Sequence, residues 1–120
     1  MPDFQFTSLD VDARWARGNH DLLIRFLRGF LRAHEKFYTD QAFAREVAMR
    51  ETGIEARYAD LAWGEYTRDA IFPRDGEASA AGVQALIETS ALIRDLPARA
   101  RTMAEDYIDR SWLAEARASL

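Results

Sequence analysis

The chain has 120 residues, with 16 Lys or Arg against 20 Asp or Glu, and its net charge at neutral pH is −4. This length fits one domain, predicted here over residues 1–120, and the 48% of hydrophobic residues are enough for a core. The mild acidic excess argues against nucleic acid as a partner, because phosphate binding needs a concentrated basic surface. The lack of cysteine excludes disulfides, thiolate metal sites and a cysteine nucleophile.

The first predicted element is a β-strand over residues 4–11, where aromatic and β-branched residues partly alternate with polar ones. A single strand cannot satisfy its own backbone hydrogen-bonding groups, so it needs a neighbour. No second strand is predicted further along the chain. This mismatch indicates a strand that belongs to a larger sheet.

The longest predicted helix spans residues 19–38. Asp12 or Asn19 is the expected N-cap, and Asp21 lies in the first turn, where the helix dipole favours an anion. Apolar residues recur every three or four positions, which predicts a wide buried face and makes this helix the expected central packing element. These positions are Leu22, Phe26, Phe30, Ala33 and Phe37, with Leu23, Leu27 and Leu31 beside them.

Two more helices are predicted in the middle of the chain. Thr39 and Asp40 end the long helix and can cap the next one, which carries Phe43 and stops at Gly53, a typical C-cap residue. The third helix is predicted over residues 55–70.

The last part of the chain is predicted to contain a loop and two helices. Residues 72–76, Phe-Pro-Arg-Asp-Gly, indicate a loop because proline cannot continue a helix and Asp-Gly favours a turn. Ser79 is the predicted N-cap of a fourth helix that runs to Ile93, before a break at residues 95–97. Asp109 is the predicted N-cap of a short final helix.

Few residues could carry chemistry. His20 and His34 lie on one predicted helix, about 21 Å apart at 1.5 Å per residue, so they cannot share a metal ion. Asp10 and Asp12 lack the glycine and the further oxygen ligands of a calcium loop, which favours a capping role. Phosphate-binding, nucleophile and zinc-protease motifs are absent. We therefore predict a protein that is not an enzyme, with no catalytic residue, metal site or cofactor.

Three stretches form a characteristic pattern when they are taken together, although each alone is an ordinary helix or strand pattern with aromatic residues. Residues 3–11 are Asp-Phe-Gln-Phe-Thr-Ser-Leu-Asp-Val. Residues 14–33 begin with Arg-Trp-Ala-Arg, continue as the long helix and are followed by the aromatic pair at positions 37 and 38. Residues 105–113 contain Asp-Tyr-Ile-Asp. In this order and spacing, the stretches resemble the periplasmic solute-binding proteins of ABC importers, of the type that binds nitrate, sulfonates, taurine and thiamine-pyrimidine precursors.

The resemblance covers nearly the whole chain and corresponds to the C-terminal part of lobe one. It implies a mainly α fold class: a helical fragment of an α/β type II periplasmic-binding-protein lobe, with one N-terminal strand. The implied function is to bind a small-molecule solute in a cleft between two lobes and deliver it to ABC permease subunits. Gln5 and Thr7, near the expected hinge, are the implied ligand-binding residues. The parent protein would be periplasmic, and its signal peptide would lie upstream because none is visible after Met1.

The chain departs from the family pattern at several points. His20 stands where the family usually has proline, and Gly29 stands where it usually has alanine. Gly29 costs the helix about 1 kcal/mol unless a close contact uses the space. The histidine-rich site of the thiamine-pyrimidine synthases on this fold has no counterpart here. Without lobe two, the isolated chain is expected to form a homodimer through its unpaired strand. The alternative interpretation is an independent helical interaction or dimerisation domain of a bacterial regulator.

Overall fold

Helices occupy most of the chain, as the sequence predicts. A computed structural model describes residues 5, 7–93, 97 and 100–120. Within these residues the mainly helical fold is confirmed. The elements are α1 (Ala13–Gly18), α2 (His20–Thr39), α3 (Gln41–Thr52), α4 (Ala56–Arg68), α5 (Ala80–Leu92), a 3₁₀ turn (Ala104–Asp106) and α6 (Ser111–Ala118).

The strand predicted over residues 4–11 is not confirmed. Gln5 and residues 7–11 are irregular, and residues 4 and 6 lie outside the described part of the chain. The physical reason is the lack of a neighbour, since the described residues contain no other strand with which this segment could pair. The side chain of Gln5 instead accepts a hydrogen bond from the backbone N–H of Ser79 at 3.0 Å.

Helix α1 precedes the long helix and was not predicted. Its N-cap is Asp12, whose carboxylate accepts a hydrogen bond from the backbone N–H of Trp15 at 2.8 Å. Asn19 separates α1 from α2 and makes no side-chain cap to α2, because its amide donates to the carbonyl of Trp15 instead. Of the two predicted caps, Asp12 alone acts as one, and it caps the earlier helix.

Helices α3 and α4 are joined by a short turn and pack on each other. Asp40 caps α3 by accepting from the backbone N–H of Phe43 at 2.9 Å, as predicted. Gly53 ends α3 in the left-handed region with φ 72°, a conformation that glycine adopts without steric cost. Helix α4 ends at Arg68, before the predicted boundary, because Ala70 turns the backbone into the left-handed region.

Ser79 and Asp109 are the predicted N-caps of the last two helices. Ser79 caps α5 by accepting from the backbone N–H of Gly82 at 3.0 Å, as predicted. The predicted break at residues 95–97 is described only at position 97. Asp109 is not the N-cap of α6, which is Arg110, but accepts from the backbone N–H of Ser111 at 3.0 Å just ahead of it.

The main core lies between α2 and α6. It consists of Ile24 and Leu31 from α2 and Leu113 and Ala116 from α6, and these four residues are buried. Leu27, Phe30 and Trp112 pack around them and are half-buried. Gly76 lies against this core with φ 70°, where a Cβ atom would come within 3.3 Å of the Phe30 ring. A glycine is required there for both its backbone conformation and its size.

The fold is thin and open for its mass. Its radius of gyration is 16.6 Å, whereas a compact domain of this length has about 14 Å. Its accessible surface is 9,012 Å², about 2,400 Å² more than a compact monomer of 13.7 kDa exposes. The buried hydrophobic residues are few, and many large apolar side chains of the described residues remain exposed.

Candidate functional site

Gln5 and Thr7, the two residues implied to bind ligand, lie close together. The side-chain amide of Gln5 donates to the carbonyl oxygen of Thr7, while its oxygen accepts from the N–H of Ser79. Gln5 is half-buried and Thr7 is exposed. The pair therefore ties the N-terminal segment to the start of α5, and the polar atoms of Gln5 already have partners within the chain.

A loop between α4 and α5 is held against the C-terminal half of α2. The hydroxyl of Tyr38 donates to the carbonyl of Phe72, and Nε2 of His34 lies 2.8 Å from the carbonyl oxygen of Pro73. The guanidinium of Arg74 lies 4.5 Å from the centre of the Tyr38 ring, as a cation–π contact. The predicted loop thus has a specific docking site that no local sequence pattern indicates, since its partners lie 34 or more residues away.

The C-terminal helix fastens the same loop from the other side. Arg117 donates to the carbonyl oxygen of Asp75. Between these contacts lies an open groove of about 640 Å³ bordered by α2, the loop and the chain end. Its charged side chains are of both signs: Glu35 and Asp75 stand with Arg74 and Arg117. This mixture favours neither an anionic nor a cationic ligand.

His20 joins the start of α2 to α6. Its Nδ1 lies 3.1 Å from Oδ1 of Asp21 and its Nε2 lies 3.0 Å from Oε2 of Glu115. The imidazole is also 5.4 Å from the ring of Trp112. Hydrogen bonds to Asp21 and Glu115 raise the pKa of His20 above the ordinary value of 6.5. His20 can therefore hold a proton between two carboxylates at the edge of an open groove of about 510 Å³.

Two tryptophans are fixed by hydrogen bonds within the chain. Nε1 of Trp63 donates to the carbonyl of Phe37 at 2.7 Å and links α4 to α2. Nε1 of Trp112 donates to the carboxylate of Asp109 at 3.0 Å. Hydrogen bonds from Ser111 and Trp112 lower the pKa of Asp109 below its usual range. These tryptophans orient helices rather than face an open site.

Exposed apolar side chains are the most conspicuous surface feature. On α2, Leu22 and Phe26 point away from the core; on α4, Tyr58 and Leu61 are more than half exposed. Contiguous apolar area of this kind marks surfaces that are covered in an assembly. The apolar periodicity predicts Leu22, Phe26 and Ala33 in the buried face of α2, but all three are exposed.

In the described ranges, no group of three or more potential metal-ligating side chains comes together. Among the helices in those ranges, none is both long and apolar enough to span a bilayer. No family model matches the sequence, and neither the curated proteins nor the solved structures compared with it give a match.

Proposed function

We propose that this chain is the C-terminal portion of the solute-binding component of an ABC importer for a small anion or heterocycle. Candidate solutes are nitrate, a sulfonate, taurine or a thiamine-pyrimidine precursor. The proposal includes a periplasmic location for the parent protein and ABC permease subunits as its partners. In this function the chain carries no reaction, and its helices support one lobe of a binding cleft.

The observation that carries the proposal is the packing contact between two of the stretches that resemble the family. Residues 14–33 form α1 and most of α2, and residues 105–113 lead into α6. Ile24 of the first stretch packs with Leu113 of the second in the main core. Two stretches that resemble one family and also pack on each other support the resemblance more strongly than the separate sequence patterns do.

The openness of the fold is a second support. A portion of a larger lobe has helix faces that the rest of the lobe covers, and those faces are apolar. The described helices expose such a face on α4, at Tyr58 and Leu61. The accessible surface, about 2,400 Å² above that of a compact monomer, leaves room for such a cover.

Gln5 and Thr7 are the proposed ligand-binding residues. Each can offer polar atoms to a small anion or heterocycle, Thr7 from an exposed position. Gln5 would have to exchange its bond with Ser79 for one to ligand, which couples ligand binding to the start of α5. In this way, closure of the cleft on a ligand would release the hydrogen bond between Gln5 and α5.

The test compares the complete product of the gene that encodes this chain with the 120-residue chain alone. Both are titrated with nitrate, taurine, an alkanesulfonate and an aminopyrimidine by calorimetry, with thermal melts as a second readout. We expect the complete product to bind one solute with a micromolar or tighter dissociation constant, and the 120-residue chain to bind none. Solute binding then raises the melting temperature of the complete product by mass action.

Variants at the proposed site sharpen the test. Thr7→Val in the complete product should weaken solute binding, because it removes a hydroxyl and keeps the shape. Ser8→Ala, at an exposed neighbouring hydroxyl that bonds to Asp10, is the matched control and should bind solute normally. A complete product that binds none of the four solutes, or a 120-residue chain that binds one at micromolar concentration, would refute the proposal.

A second candidate is an independent helical interaction or dimerisation domain. The same exposed apolar residues on α2 and α4 favour it. Solute binding by the complete product decides for the importer component. Failure of all four solutes, together with a stable complex between copies or with a protein partner, decides for the interaction domain.

A further inference from the structure

One face of α2 is left uncovered by the described chain. Leu22, Phe26, Gly29 and Ala33 recur at i, i+4, i+7 and i+11, so they lie along one side of the helix. Leu22 and Phe26 retain 48% and 56% of their surface, and Gly29 and Ala33 are exposed as well. We call these four residues the outer row. It is bulky at its N-terminal end and flat at its C-terminal end.

A row of cations borders the outer row. Arg25, Arg28 and Arg32 recur at i, i+3 and i+7 on the neighbouring face of α2, and we call them the basic row. Ion pairs among the described residues use other arginines. These are Arg45, Arg50, Arg57, Arg68, Arg101, Arg110 and Arg117. Arg25 and Arg28 border the His20 groove beside Asp21 and Glu115, but these carboxylates pair with His20. Among the described residues the basic row makes no ion pair, so its charge is available for carboxylates of a partner.

Gly29 is the position in the outer row where a neighbouring group can come closest to the backbone of α2. A Cβ atom placed on it would meet no atom within 4 Å, so no contact within the chain uses the missing side chain. Glycine in a helix interior is less favourable than alanine, and a neighbouring backbone or bulky side chain at this point would use the space. Together with Ala33, one turn further on, Gly29 leaves a shallow depression in the outer row.

A second copy of the chain fits this face poorly. Two antiparallel copies of α2 related by a two-fold axis near Arg28 would place their basic rows on the same side, with Arg25 of each copy near Arg32 of the other and Arg28 near its own counterpart. Like charges in such positions are unfavourable. Two parallel copies would set Phe26 against Phe26 and leave the Gly29 and Ala33 end unfilled. Repulsion between arginines therefore disfavours the antiparallel pair, and the unfilled space at Gly29 and Ala33 disfavours the parallel pair.

A membrane surface is also the poorer fit. Only Leu22 and Phe26 of the outer row are bulky enough to enter a lipid interface, and the opposite side of α2 is packed on α6.

We propose that the outer row docks an acid-edged amphipathic helix from outside this chain, which sets a bulky apolar side chain over Gly29 and carboxylates against the basic row. This mode of recognition lays an apolar helix stripe into a groove with charges at its edge. The proposal is independent of the solute-binding function.

The test uses two designed helical peptides with the same Leu stripe. One has glutamates along the edge of the stripe and the other has lysines. Each carries a fluorophore, and its anisotropy is followed as the intact 120-residue chain is added at low salt. We expect the glutamate-edged peptide to bind about tenfold more tightly than the lysine-edged one, because three charge pairs form in place of three repulsions. This difference should shrink as salt is added.

Two kinds of variant locate the site. Gly29→Leu should reduce binding of the glutamate-edged peptide at least severalfold, since it fills the depression without touching the rest of the chain. Gly64→Leu is the matched control, because Gly64 is also helical with open space at its Cβ position. The charge reversal Arg25→Glu/Arg28→Glu/Arg32→Glu should invert the preference between the two peptides. The equal charge change Arg50→Glu/Arg57→Glu/Arg68→Glu, on α3 and α4, should leave the preference in place. Circular dichroism confirms that each variant is folded.

Several results would overturn the proposal. One is equal binding of the two peptides, or an unchanged affinity for Gly29→Leu. Another is binding to phosphatidylglycerol vesicles that Phe26→Glu abolishes while neither peptide binds, which would make a membrane the occupant. A third is loss of self-association in Gly29→Leu, which would make a second copy the occupant.

Discussion

Nε2 of His20 lies 3.0 Å from Oε2 of Glu115, and this contact joins the first turn of α2 to α6 across 95 positions of the sequence. This contact holds α6 against the N-terminal end of α2. Trp112, also on α6, lies beside the imidazole. The contact pairs an imidazole with a carboxylate, so its strength depends on the protonation of His20.

The first prediction concerns pH. Hydrogen bonds to Asp21 and Glu115 raise the pKa of His20 above 6.5 in the folded chain. A raised pKa means that His20 contributes its full stabilisation below about pH 6.5 and loses it as the pH rises through the folded-state value. We expect the melting temperature to fall over that interval, in a step that His20→Gln removes. Glu115→Gln should shift the His20 titration, followed by NMR, to lower pH; an unchanged titration would show that the pair does not form in solution.

The second prediction compares two leucines of α2. Leu31 is buried between α2 and α6, whereas Leu22 lies on the outer row. Leu31→Ala should cost roughly 2–5 kcal/mol of unfolding free energy, because it leaves a cavity in the main core. Leu22→Ala is the matched control and should stay within about 0.5 kcal/mol, as for an exposed substitution. Urea denaturation measures both, and equal costs would contradict the orientation of α2.

The periodicity of α2 predicts the helix but not which apolar residues are buried. Leu22, Phe26, Leu31 and Phe30 all fit a spacing of three or four, yet the first two are exposed. Helix length and caps are local properties, so Asp40, Gly53 and Ser79 were identified from their neighbours in sequence. The side of a helix that is buried depends on which other elements pack on it. Helices α6 and α3 pack on α2 and leave Leu22, Phe26 and Ala33 uncovered.

Long-range contacts were the least predictable part. The bonds from Tyr38 and His34 to the loop at residues 72–73, and from Arg117 to Asp75, cross 34 to 42 residues. A polar side chain on a helix surface carries no local sign of such a partner. The strand predicted over residues 4–11 is not confirmed, for a related reason. β-propensity describes a fit to a half-buried pleated surface, and the described residues supply no such surface next to Thr7.

The third prediction concerns the end of α4. Ala70 has φ 46°, and the backbone N–H of Ile71 bonds back to the carbonyl of Tyr66, the pattern of a left-handed helix end. A residue with a Cβ atom pays about 1–2 kcal/mol in this conformation. Ala70→Gly should therefore stabilise the chain by about 1 kcal/mol, while Ala62→Gly, within the same helix, should destabilise it by a similar amount. Thermal or urea unfolding measures both, and a destabilising Ala70→Gly would rule out this helix end.

The last prediction concerns self-association of the 120-residue chain. Tyr58 and Leu61 on α4 are 51% and 60% exposed. Arg57, whose guanidinium lies 4.6 Å from the centre of the Tyr58 ring, is ion-paired with Glu55, unlike the arginines of the basic row of α2. We expect a homodimer at concentrations well above micromolar, held by helix faces such as that of α4 rather than by a strand. Sedimentation equilibrium should show the dimer also when residues 1–10 are deleted, and Leu61→Glu should shift it towards monomer, since a buried unpaired carboxylate is costly. Leu22→Glu, the same change on the outer row, is the control and should leave the dimer intact. A monomer for the unchanged chain would contradict self-association. Loss of the dimer on deletion of residues 1–10 would return the interface to the N-terminal segment, because Leu61 and its neighbours on α4 remain in the shortened chain.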